Sequence, residues 1–411
     1  MLAVRFRVVV GGVDIAPVGL HGVIHWGRDR VDEQPSGATA SVTVLDPAGT
    51  LARAAAVLEP VDVYVIAQGV ERRRFAGTVV DCTVDHEAGE TTVVASDELA
   101  RLARTYVGDE PWPAELDGDR VTRILELAGV DMAGAGPWSA LVGSWSAQAE
   151  TWREMRAPLV DSGTVTVTAR DVDRRGVLEL IQDVAGDAWG VVFTDRAGLV
   201  NYRDAAHRPS ATERTLPAGV FDTGATFTRG TAGMANRVRY SYGDADPQPV
   251  VTLEDAESIA RFGVFDHQRS TQLLLLSDAE TLARRVLSVR REPRWSAPAL
   301  LFDTVSLDAD ADDPADIAWL LDAGCQSCFA VTGIAPPDPS AGGSASLVVE
   351  GGTDTLEGGR LVVEFACSSL RLSAPPLTWA GIDPAVRWLD IPPDIAWLDM
   401  DDYFAPMGAA A

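Results

Sequence analysis

The chain contains no lysine. Its 34 basic residues are all arginine, set against 60 aspartates and glutamates, for a formal charge of -26. Without lysine no G-x-x-x-x-G-K-[ST] phosphate loop can exist. Arginine without lysine, beside abundant Ala, Val, Gly and Asp, reflects GC-rich coding rather than function. The negative balance opposes nucleic-acid binding, which needs a positive footprint to displace counterions, and no basic stripe escapes it. Long apolar runs are missing too: no uncharged apolar stretch reaches the roughly 18 residues of a membrane span. The opening Met1-Leu2-Ala3-Val4-Arg5-Phe6-Arg7 alternates like a strand and lacks the apolar core and cleavage site of a signal peptide. Folding in a cytoplasm, with no membrane anchor, is the expectation.

Cysteine and histidine are scarce. Cys82, Cys325, Cys328 and Cys367 are the four cysteines, expected to stay reduced. Cys325 and Cys328 form one C-x-x-C, half of a zinc site or a redox pair only if Cys82, Cys367 or histidines converge on it. Otherwise these are small buried thiols. His21 and His25 lie four apart, but Gly22 and the β-branched Val23-Ile24 favour a strand over a zinc-binding helix. His86, His207 and His267 stand alone. No G-x-S-x-G elbow occurs, and Val10-Gly11-Gly12-Val13 is a turn with no helix after it. Residues 308–313 alternate Asp and Ala like a calcium loop, without its glycine and distal glutamate, and read as a solvated acidic loop. No catalytic set, metal or cofactor is therefore expected.

What is present is patterned secondary structure. At 411 residues the chain exceeds one hydrophobic core, so several modules are expected. Apolar–polar alternation predicts strands near 4–10, 22–26, 38–45, 61–66, 73–83 and 91–95, as in a small barrel or sandwich. From Ser96 the period becomes helical, with helices expected near 97–106 and 119–128. A helix over 171–185 leads to an apolar strand at 189–194, the turn Asp195-Arg196-Ala197-Gly198, and a returning strand at 199–203. Strands are expected at 226–229, 236–243, 250–253 and 269–276, a short helix or turn closed by glycine over 255–263, and a helix over 278–291 capped by Ser277. A last β-rich portion pairs 344–350 with 360–368. The fold class is α+β and β-rich. The expected modules are 1–97 (β-barrel-like), 98–170 (helical and loop insertion), 171–298 (helix plus hairpin), 299–374 (C-terminal β) and 375–411 (Trp-rich acidic tail).

The aromatics suggest contacts. Of 11 tryptophans, Trp112, Trp138, Trp145, Trp152 and Trp295 fall in segments read as loop, and Trp379, Trp388 and Trp397 in the tail. Asp-Ile-Ala-Trp-Leu occurs at 316–320 and again at 394–398. Indoles in irregular segments anchor protein–protein interfaces. Trp145, Trp379, Trp388, Trp397, Tyr403 and Phe404 are the candidate interface residues, unless the tail folds back over its own β domain.

The order of elements resembles that of bacteriophage tail hub proteins. The run from Gly176 to Arg203 is similar to their leucine-rich helix, strand, D-x-x-G turn (Asp195, Gly198) and second strand. An N-x-V strand follows (Asn236, Val238), then D-x-x-S-I-x-x-F-G (Asp255, Ser258, Ile259, Gly263), then a helix ending at a P-R pair. His25-Trp26-Gly27-Arg28-Asp29-Arg30 and 37–46 resemble the opening of actinobacteriophage minor tail proteins. The resemblance spans about 1–370 and departs at 322–328, where those proteins often carry G-D-x-V. It implies a multi-domain hub with β-barrel-like domains, assembled as a homotrimer at the virion tail tip. Implied partners are a distal tail or tail tube protein, a tape measure protein, and other minor tail or receptor-binding proteins. Alternatives are a hexameric distal tail protein, or a tail-associated carbohydrate-binding or cell-wall-hydrolysing protein.

Overall fold

A computed structural model of the chain describes residues 2–15, 19–132, 158–209, 212–222, 227–231, 233–296, 299–307, 312–334 and 343–373. The N-terminal part holds seven strands: β1 (Val4–Val10), β2 (Val13–Ile15), β3 (His21–Gly27), β4 (Thr39–Leu45), β5 (Pro60–Ala67), β6 (Val70–Asp85) and β7 (Glu90–Ser96). Helix α1 (Thr50–Ala54) lies between β4 and β5. Next come α2 (Glu98–Leu102), α3 (Asp117–Leu127), α4 (Val177–Asp187), the hairpin β8 (Val191–Thr194) and β9 (Val200–Arg203), and β10 (Arg214–Pro217). A three-stranded unit follows: β11 (Arg237–Ser241), β12 (Val250–Glu254), α5 (Ala256–Phe262), β13 (Asp266–Arg269) and α6 (Leu276–Arg290). The C-terminal part is β14 (Ala299–Asp303), α7 (Pro314–Asp322), β15 (Cys328–Thr332), β16 (Ser344–Glu357), β17 (Arg360–Ser369) and α8 (Leu370–Ser373). The protein is α+β and β-rich. Among the described residues no helix is long and apolar enough to cross a membrane.

Both chain ends build one sheet. Twelve strands run in the order β10-β15-β16-β3-β4-β7-β6-β5-β1-β2, with β17 pairing β16 and β14 pairing β17. The join is β16 on β3, antiparallel, from Gly351 opposite Gly27 to Glu357 opposite His21. A bulge between Val349 and Gly351 lets β16 bend there. Gly27, at φ +75°, allows the approach: a Cβ on it would sit 2.4 Å from the Gly351 Cα. Strict alternation in β1 and β5 turns Val4, Phe6, Val8 and Val10, and Val61, Val63 and Val65, toward one core. That core also takes Leu216, Phe302, Trp319, Phe329, Val363 and Phe365 from the other end of the chain.

Two further cores among the described residues are built on helices. Val177, Leu180, Ile181, Val184 and Ala185 follow helical spacing and bury α4 against α3, α2 and the β8–β9 hairpin. Helix α6 uses Ala279, Leu282, Ala283, Val286 and Leu287 to cover β12-β11-β13.

Several local expectations shift. The helix predicted from 171 starts at Val177, because Arg175-Gly176 pairs as a short strand with Tyr106-Val107. Tyr106 thereby leaves its predicted helix, which ends at Leu102 with Asp97 as its cap. Ser277 does not cap α6 but lies in its first turn, and Asp278 Oδ2 accepts from the Thr166 N–H instead. The strand predicted over 269–276 ends at Arg269, where the chain crosses to bond Gly243 and Thr166. Trp112, read as a loop aromatic, is 5% exposed and held by Arg120 and Arg170.

Candidate functional site

Where the sheet, the hairpin and the C-terminal strands meet, charges are buried. Asp354 on β16 is fully buried and serves three donors from three parts of the chain. Its Oδ2 accepts from Arg74 Nε on β6 at 2.8 Å and from Arg196 Nη1 in the β8–β9 turn at 3.2 Å. Its Oδ1 accepts from Trp26 Nε1 on β3 at 3.0 Å. The Arg196 guanidinium stacks 4.0 Å over the Trp26 ring. Arg196 also donates to the carbonyls of Arg74 and Ala323, each at 3.1 Å. Burial, opposed and outweighed by Arg74 and Arg196, leaves the Asp354 carboxyl below its usual range. Burial, with Arg74 close by, pushes Arg196 down to about 9.

A second buried pair lies at the β16 bulge. Glu350 Oε2 accepts from Arg28 Nε at 2.8 Å and Nη2 at 2.6 Å, and from Gln326 Nε2 at 3.1 Å. Its Oε1 accepts from Ser368 Oγ. Two arginine donors converge on one carboxylate oxygen and a hydroxyl serves the other, so the buried charge is hydrogen-bonded on both oxygens, and removing one partner is costly.

The D-x-x-G turn is built on its carboxylate. Asp195 Oδ1 accepts from the N–H groups of Ala197 at 2.8 Å and Leu199 at 3.0 Å. Gly198, at φ +81°, turns against the Ala76 carbonyl, which stands 3.0 Å from where a Cβ would lie. Asp195 thus aims Arg196 into the joint. Burial lifts the Asp195 carboxyl to about 6.

The two later motifs prove to be one hydrogen-bonded unit. Asn236 donates from Nδ2 to Ser258 Oγ at 3.1 Å and to the Gly263 carbonyl at 2.7 Å, and accepts from the Phe265 N–H at 2.7 Å. Asp255 caps α5 by accepting from the Ser258 N–H at 2.8 Å, and Gly263 closes it at φ +83°. Ser258 Oγ donates to the Arg291 carbonyl just past α6, tying α5 to that helix. Val238 is buried under α6, while Ile259 is half-buried.

The residues weighed for chemistry disperse. His21 and His25 both lie on the exposed face of β3, and His25 Nδ1 is 2.9 Å from Thr353 Oγ1. Cys325, Cys328 and Cys367 are buried free thiols and Cys82 is half-buried. Burial pushes Cys325 up to about 12 and raises Cys328 and Cys367 as well. Asp161, Asp204 and His207 lie within 4.8 Å of one another among the described residues. There Asp204 Oδ1 accepts from the N–H groups of Ala206 and His207, each at 3.0 Å, which builds a side-chain-capped turn. Trp145, Trp379, Trp388, Trp397, Tyr403 and Phe404 lie outside the described residues, as do 308–311. Asp313, the last of that acidic run, caps α7 and pairs with Arg214 at 2.6 Å.

Over 91% of this chain and 100% of the other, the structure superposes on the tail protein from Neisseria meningitidis MC58, with a TM-score of 0.58 at 10% identity. The fold is that of phage tail proteins. The 43 kDa tail protein of prophage MuSo2 from Shewanella oneidensis is similar over 90% of this chain and 98% of its own, with a TM-score of 0.52 and 11% identity. Prophage tail protein gp18 from Listeria monocytogenes EGD-e is similar over 88% and 94%, with a TM-score of 0.50 and 10% identity. No family model matches the sequence, and no curated protein does. At such identities the shared property is the fold.

Arg74, Arg196, Glu350 and Asp354 carry this buried joint, and sequence reading did not single them out. The signals for them were indirect. Arg196 sits inside the motif turn, and Trp26 and Arg28 belong to the His25–Arg30 stretch near the start of the chain.

Proposed function

We propose that this chain is a structural subunit of a phage-type tail, the hub at the distal tip, which acts by assembling rather than by catalysis. The observation that carries the reading is coverage in both directions. The chain matches nearly all of each tail protein compared, and nearly all of each is matched by it. The buried joint suits this role. It clamps the helix-and-hairpin unit to a sheet made from both chain ends, giving a stiff body that can hold the geometry of a ring.

In this reading three copies form the hub, lying between a distal tail or tail tube protein and the receptor-binding end of the virion, with the tape measure protein above. The net charge of -26 favours a channel wall along which DNA slides without sticking. Light scattering on the purified chain tests the assembly. A mass three times 43.7 kDa is expected, and a stable hexamer would overturn the hub in favour of a distal tail ring. Release of fragments from purified cell walls by the chain would overturn the non-catalytic part.

A further inference from the structure

One stretch of the large sheet has a neighbour on one side alone. Strand β6 runs to Asp85, but β5 pairs it only from Val70 to Thr78. Val79 is served by the chain just before β5. Its N–H donates to the Glu59 carbonyl at 2.8 Å, and its carbonyl accepts from the Leu58 N–H at 2.9 Å. Val79 stands opposite Ala95 of β7, so its main-chain groups turn away from β7. After a register shift at Val80, Cys82 stands opposite Val93 and Val84 opposite Thr91. Orientation alternates along an antiparallel pair, so the N–H and carbonyl groups of Cys82 and Val84 turn outward as those of Val79 do. Asp81 Oδ1 accepts from the Cys82 N–H at 2.8 Å. Among the described residues no strand lies along this side of Val80–Asp85.

This open edge is both apolar and acidic. Val80 and Val84 are exposed on it, and Val57 and Leu58 beside it are 65% and 69% exposed. Leu58 holds φ at +74°, a conformation costly to a bulky side chain, and gains no burial in return. An uncovered edge with apolar side chains is a template for a further strand. Its charge is of one sign. Between Arg74 and Arg101 the chain has no arginine, and His86 is its one basic residue. Asp81, Asp85, Glu87 and Glu90 fall in that stretch, and Glu59 adjoins it through Val79.

We propose that Val80–Asp85, with Val57 and Leu58, is a docking edge for a basic extended strand of another protein. The incoming strand bonds the main chain at Cys82 and Val84, which lengthens the sheet by one strand. Its apolar side chains pack on Val84 and Leu58, and its lysines or arginines meet Asp81, Asp85 and Glu87. Charge selects this occupant over a second copy, which would bring a charge of -26 and no lysine to an edge already acidic. The inference requires no particular number of copies, so its failure would leave the hub reading standing.

The test adds one of two peptides, KVTVKVTVK or EVTVEVTVE, in excess to the full chain and follows amide hydrogen exchange by mass spectrometry. The lysine peptide should slow exchange at Val84 at least about tenfold, and the glutamate peptide should leave it unchanged. Anisotropy of the labelled lysine peptide then reads binding to two variants. Val84→Pro removes the outward N–H while keeping the β7 ladder, and should abolish binding. Leu58→Gly suits the positive φ, so thermal melting should not fall, yet binding should weaken at least about threefold. If Val84→Pro does not fold, Leu58→Gly decides. No protection from the lysine peptide, equal protection from both peptides, or undiminished binding by the variants would each overturn the proposal. Protection at Val84 that appears without peptide as the chain is concentrated would assign the edge to a second copy, and would overturn it as well.

Discussion

Asn236 and Ser258, 22 residues apart, hold each other through a 3.1 Å hydrogen bond from Nδ2 to Oγ, and this bond closes the loop that carries α5. Asn236 is fully buried and makes two further hydrogen bonds, to the Gly263 carbonyl and from the Phe265 N–H. Asn236→Ala therefore strands three polar groups and should destabilise the chain by about 3 kcal/mol. Ser258→Ala should cost about 1–2 kcal/mol. Urea melts of the two single variants and the double variant would give a coupling of about 1 kcal/mol. Strict additivity would show that the motifs are not one unit.

The Asp354 joint predicts a second, larger loss. Asp354→Ala buries two guanidiniums without their carboxylate and should cost about 3–5 kcal/mol. For Asp354→Asn the effect depends on pH. The native carboxyl is held below its ordinary 3.8 by Arg74 and Arg196, against burial. Its stabilisation is thus complete above that value and is lost as pH falls through the native pKa. The gap between wild type and Asp354→Asn should be wide at pH 7 and narrow steadily below about pH 4. A gap that is constant down to pH 2 would refute the assignment.

Asp195 should behave in the opposite sense. Burial raises its carboxyl to about 6, so the folded state binds a proton that the unfolded state releases between pH 6 and 4. Stability from this group rises as pH falls through that window. Asp195→Asn keeps the acceptor for Ala197 and Leu199. It should stabilise the chain at pH 8 by no more than about 2 kcal/mol, discounted for a half-buried turn, and match wild type at pH 4. Thermal melts at the two pH values decide it, and an equal shift at both would count against it.

The thiols offer a chemical check. Cys325, Cys328 and Cys367 are buried with raised pKa values, and Cys82 is the partly exposed one. Ellman's reagent should titrate one thiol slowly in the native protein and all four in denaturant. Two or more rapid native equivalents would contradict the packing of the C-x-x-C segment.

Sequence periodicity made much of this fold legible. The helix and hairpin of 177–203 could be read because their burial is local: five apolar residues at helical spacing, then a carboxylate turn whose donors lie within four residues. The glycine that closes α5 was readable for the same reason, while its Asp255 cap emerged only in the structure. The joint was not readable. Arg74 finds Asp354 across 280 positions, and nothing local marks either one among 34 arginines and 60 acids. Element boundaries moved where a distant strand or carboxylate took over, as Tyr106-Val107 did for Arg175-Gly176. The Asn236 motif lay between these cases. Its residues stood out in the sequence, but their hydrogen bonds to one another did not.

The pairing of β16 with β3 also constrains how the protein comes into being. Residues 21–27 emerge early in synthesis, yet their neighbours at 351–357 arrive more than three hundred residues later. Until then β3 presents an open edge, and the main core still lacks Leu356, Leu361, Val363 and Phe365. Contacts this distant in sequence form slowly and late. A chain interrupted anywhere before residue 351 can complete neither the sheet nor the Asp354 joint. The molecule thereby keeps its largest sheet unfinished until translation has passed that strand.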